Sequence, residues 1–110
     1  MDSVSLSELA DEQLDSARSS SSGRSAVTVH GGHDHPLRQT LIALAAGRDL
    51  SEHHSPGETT LQVLRGRVRL TTAEAGWDGK AGDLLVVPRE RHGLHAVDDS
   101  VILLTVLADS

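Results

Sequence analysis

Two hydrophobic rhythms divide the chain. Over residues 2–18, Leu6, Leu9, Ala10, Leu14 and Ala17 recur at the spacing of one helical face. Ser5 is followed three residues later by Glu8, the spacing at which a side-chain oxygen and a carboxylate close a helix start. A short amphipathic N-terminal helix is predicted. Residues 19–22 are all serine and are followed by Gly23, a composition that behaves as a flexible linker. Residues 1–25 are therefore expected to stand outside the main domain, residues 26–110, either frayed or docked on its surface.

From Ala26 onward short apolar or alternating runs are punctuated by Gly, Pro and Asp, which reads as strands. The expected strands are residues 26–29, 38–45, 60–64, 67–72, 75–77, 84–87, 94–97 and 101–107. Arg67, Arg69 and Thr71 alternate with Val68 and Leu70, the signature of a sheet with one wet face. So many strands in a short chain predict an all-β sandwich or a small antiparallel barrel, because an open sheet would leave long bare edges.

Composition narrows the chemistry. The chain of 110 residues is long enough for one core, and 37% hydrophobic and 24% charged residues with a net charge of −6 describe a soluble globular chain. An acidic balance gives nucleic acid no electrostatic footing. With no Phe or Tyr and a single Trp, Trp77, there is no stacking platform for single strands, and the core must be aliphatic. The absence of cysteine removes disulfides, thiol catalysis and thiolate metal sites. No apolar run approaches the ~20 residues of a spanning helix, and the N-terminus has no apolar stretch with a basic start, so a cytoplasmic chain with no membrane partner is expected.

Seven histidines remain as the chemical signal. They fall into three groups, His30, His33 and His35, then His53 and His54, then His92 and His95. The first group sits on a Gly-rich stretch ahead of Pro36 and reads as a solvated turn rather than a metal site. Arg65, Arg67, Arg69, Arg89 and Arg91 read as a solvated face, with one at a barrel mouth able to clamp an anion. Trp77 reads as a partly buried packing residue near an edge.

Around the other two groups, Gly47 precedes His53 by five intervening residues, and Gly66 closes the apolar run Leu61 to Arg65. Gly82 and Asp83 lead through four apolar residues to Pro88 and then His92. In this the chain resembles the cupin superfamily in its small single-domain form, whose motifs are G-x5-H-x-H-x3,4-E-x6-G and G-x5-P-x-G-x2-H-x3-N. The resemblance covers roughly residues 38–107. It implies a double-stranded β-helix, or jelly-roll, barrel holding one divalent metal (Zn, Mn, Fe or Ni) on the motif histidines and glutamate.

The ligand positions depart from that pattern. His53 occupies the first histidine position, Ser55 the second, Thr59 the glutamate position and Ala96 the final asparagine position, while His92 falls where the last ligand is expected. The expected metal set is His53, Glu58 and His92. Glu58 is one residue out of phase, so it needs a bulge at Pro56–Gly57 to turn inward. His54 is the second choice and His95 the third, since His95 lies three strand positions from His92 and faces the other way. A regular strand would instead leave Ser55 lining the pocket. The expected function is binding of a small polar molecule in the barrel, through such a metal or without one. Enzyme, binding-module and purely structural readings all remain open, and no catalytic residue is assigned. Apolar runs beyond what one small core covers predict a homodimer.

Overall fold

Alternation of side chains builds the sheets. In β5 (Arg67–Thr71), Val68 and Leu70 are buried while Arg67, Arg69 and Thr71 face water, as the pattern predicts. The structure is a computed structural model and describes residues 1–53 and 57–108. Helix α1 (Leu6–Ser19) precedes β1 (Arg24–His30), β2 (Leu37–Leu44), β3 (Asp49–His53), β4 (Gly57–Arg65), β5, β6 (Gly76–Lys80), β7 (Leu84–Val86), β8 (His92–Ala96) and β9 (Ser100–Ala108). Two antiparallel sheets form, in the orders β1-β2-β9-β4-β7 and β3-β8-β5-β6. The expected all-β barrel architecture is the observed one.

Between the sheets lies an aliphatic core of Leu44, Leu61, Val63, Val68, Leu70, Val87, Leu94, Ala96 and Ile102, with Trp77 packed at its margin. Burying such a side chain contributes roughly 1.5–3 kcal/mol. The β4–β5 reversal needs Gly66 twice over. Its φ is +81°, and a Cβ there would stand 2.2 Å from the Asp99 carbonyl oxygen and 2.4 Å from Ser100 Oγ. Ser100 Oγ in turn accepts the Arg67 N–H at 3.1 Å and donates to the Asp98 carbonyl at 2.7 Å, so the turn's polar groups are satisfied without water.

The helix starts as expected, with Ser5 Oγ accepting the Glu8 N–H at 3.2 Å. It is docked rather than frayed. Ala10, Leu14 and Ala17, spaced along one face, share a second core with Leu41, Ala43, Val101 and Leu103 on the outer side of the larger sheet. The serine run does not hold the helix away: Ala45 N–H donates to the Gly23 carbonyl at 2.8 Å, stitching the linker to the end of β2. At its far end Arg18 Nε donates to Asp99 Oδ2 at 2.8 Å, and Asp99 Oδ1 accepts the Ala46 N–H at 2.8 Å. The Ala46 N–H first, and Arg18 second, hold the Asp99 carboxyl below its usual range. No helix among the described residues is long and apolar enough to cross a membrane.

One strand exceeds the pattern-based expectation. β3 offers a single apolar residue, Leu50, and no alternation, so its pairing with β8 supplies what its own sequence does not signal.

Candidate functional site

Histidine 92 opens β8 and is buried, at 4% exposure. Its Nδ1 lies 3.0 Å from the Glu90 carbonyl oxygen. A carbonyl only accepts, so in the neutral ring Nδ1 carries the proton and Nε2 carries the lone pair. On the inner face of the other sheet, Thr59 of β4 is 3% exposed, and its Oγ1 donates to the Gly57 carbonyl at 3.1 Å.

A bulge governs where His53 falls. Leu50 pairs with Leu94 and His53 pairs with His92, so three steps along β3 match two along β8. The extra residue lies in Ser51–Glu52, opposite Gly93. Leu50 packs against the inner core. In a regular strand a residue three positions on would fall on the opposite face. The bulge restores the phase and puts position 53 in register with the buried His92.

The carboxylate expectation fares differently. From Gly57 the strand β4 alternates regularly, with Gly57, Thr59, Leu61 and Val63 buried and Glu58 exposed. Glu58 pairs with Leu107 of β9, so it stands on the outer face and does not join His92 and Thr59. Gly57 presses against that neighbour: a Cβ there would meet the Leu107 carbonyl oxygen at 1.9 Å. The bulge that is described lies in β3, while the one expected at Pro56–Gly57 falls partly on Pro56, outside the described residues. His54, Ser55 and Pro56 lie outside the described residues.

His95 is exposed, on the other face from His92 as expected, and its Nδ1 lies 2.5 Å from Asp49 Oδ1. The loop histidines stay at the surface. His30 and His35 stack edge to face at 5.6 Å, and Arg38 donates to the carbonyls of His33 and His35. Among the described residues no group of three His, Asp or Glu side chains is arranged to hold a metal ion.

A cleft of ≈ 280 Å³ runs between Leu70, Trp77, Leu85, Pro88 and Glu90. Glu90 therefore both lines this cleft and, through its carbonyl, fixes the His92 ring. Sequence reasoning missed the Ser51–Glu52 bulge. Its one signal was the odd spacing between Leu50 and His53, which cannot both face inward on a regular strand.

The sequence matches no protein-family model and no curated protein. Solved structures do resemble the fold. A cupin superfamily protein from Desulfitobacterium hafniense is 23% identical with a TM-score of 0.72 over 78% of each chain. An RmlC-like cupin from Desulfovibrio desulfuricans is 26% identical, with a TM-score of 0.66 over 76% of this chain and 81% of that one. A salicylate 1,2-dioxygenase from Pseudaminobacter salicylatoxidans is 21% identical with a TM-score of 0.75, and the match takes in 91% of this chain but 33% of the dioxygenase.

Proposed function

The chain is a small cupin in fold, and from that premise we propose that it binds a small polar molecule directly at the paired positions His53 and His92. The observation carrying this reading is the Ser51–Glu52 bulge, a local irregularity whose effect is to set a second histidine opposite a buried one. The contact of His92 Nδ1 with the Glu90 carbonyl fixes the orientation of this buried ring, which a ligand hydroxyl or amide would meet on the inner face. The aliphatic core adds shape, and the cleft beside Trp77, lined in part by Glu90, is the opening we assign to the ligand.

The described donors do not fit a three-ligand divalent ion. They amount to two imidazole positions, with Thr59 where a carboxylate would stand and Glu58 turned outward. That donor set favours direct binding over binding through a metal. A second copy of the chain belongs to this reading as its partner. Leu84 and Val86 on the edge strand β7 and Leu107 on β9 leave an apolar area exposed on the outer face of the larger sheet, and a twofold contact would cover it.

The test is to purify the protein without an affinity tag, measure its metal content, and screen small hydroxy acids, sugars and carboxylates by NMR shift perturbation. Expected are less than stoichiometric metal and a ligand whose shifts centre on Thr59, His92 and Trp77 and vanish in His92→Ala. A stoichiometric Zn, Mn, Fe or Ni ion that is lost from His92→Ala would replace direct binding by metal-mediated binding.

A further inference from the structure

The bulge has a competitor of nearly the same composition. Starting from the Leu50–Leu94 pair, a regular continuation would set Ser51 against Gly93 and Glu52 against His92, sending His53 to the solvent face. One residue of slip therefore exchanges position 53 for position 52 in register with His92. β3 is an edge strand with register pairs at only Asp49, Leu50 and His53, so its own ladder does little to choose between the two arrangements.

Two contacts lie on the solvent face, and one of them discriminates. Before the bulge, Asp49 Oδ1 meets His95 Nδ1 at 2.5 Å and pins the register of the strand's first residue. After it, Glu52 Oε1 lies 3.6 Å from Arg91 Nε, which holds the Glu52 side chain outside. Gly93 opposite the bulge leaves the room this requires, since a Cβ there would come within 3.3 Å of Glu52 Cγ. The first contact is compatible with both arrangements, whereas the second exists only when Glu52 faces out.

We propose that the Glu52–Arg91 ion pair selects the bulged register of β3 and thereby positions His53 opposite His92. Glu52 and Arg91 are positioning residues, acting on the site through the backbone. The inference rests on the reading of His53 and His92 as the binding site, but it is measured on the ligand-free chain, so a failed ligand screen and a failed register test remain separate results. Both side chains are more than half exposed, so their removal leaves the buried core intact. Where two registers lie close in free energy, a weak contact suffices to shift their populations several-fold.

The experiment uses full-length labelled protein and reads cross-strand backbone NOEs from residue 92. In the native sequence the expected partner is His53. In Glu52→Ala and in Arg91→Ala the His53–His92 NOE should fall several-fold and a contact between positions 52 and 92 should appear. The β4–β9 NOEs should stay unchanged, separating a register change from general loosening. The charge-exchanged double variant, Glu52→Arg with Arg91→Glu, should restore the native pattern. An unchanged His53–His92 NOE in both alanine variants overturns the proposal. So does a loss that the charge exchange does not repair, because the two residues would then act independently of their pairing.

Discussion

On the outer face of the larger sheet, α1 seats Ala10, Leu14 and Ala17 over Leu41, Ala43, Val101 and Leu103. On the outer face of the smaller sheet, Asp49, His95, Arg69 and Asp78 stand in one cross-strand row in water. The two sheets share one inner core, so their outer faces perform different tasks. Apolar packing on the first face supplies stability. Exposed ion pairs on the second contribute little stability each.

The comparison breaks first at Leu41. It is fully buried under the helix, and Leu41→Ala should lower the unfolding free energy by about 2–5 kcal/mol, read by denaturant titration. A loss near zero would mean that the helix is not seated on this face in solution. The dimer tests the uncovered remainder of the same face. Light scattering at micromolar concentration should give a dimer for the native chain and a monomer once Leu84 and Val86, both more than 60% exposed, are replaced by lysine. A monomeric native chain removes that partner. The smallest effect belongs to the wet face. Arg69 Nη1 contacts both Asp78 carboxylate oxygens at 2.8 Å, yet Asp78→Ala should cost less than about 1 kcal/mol, and less still in high salt. A loss comparable to that of Leu41→Ala would erase the contrast between the faces.

Legibility in the sequence followed the same division. The alternation of β5, the Ser5–Glu8 helix start and the reversal at Gly66 were readable because each rests on residues within one turn or one strand. The pairing of His53 with His92 was readable only as a hope. It depends on a bulge in a strand with one apolar residue, set against a partner strand about forty positions away. Glu58 was misplaced for the same cause. Its spacing from Gly66 is one residue out of phase, and the side of the sheet it occupies follows from the phase in which β4 meets β9, which runs unbroken from Gly57 to Val63.

By itself, then, the sequence determined the class of fold, the aliphatic nature of the core, the helix and its start, and the residue types available for chemistry, since these depend on composition and short-range periodicity. The tertiary structure decided that the helix lies on the larger sheet, that Glu58 faces water, and that His53 stands in register with His92. A side chain's face in a sheet has a period of two, so one inserted residue reverses it. Where such an insertion falls is settled by the partner strand and the contacts beside it, which only the folded chain brings together.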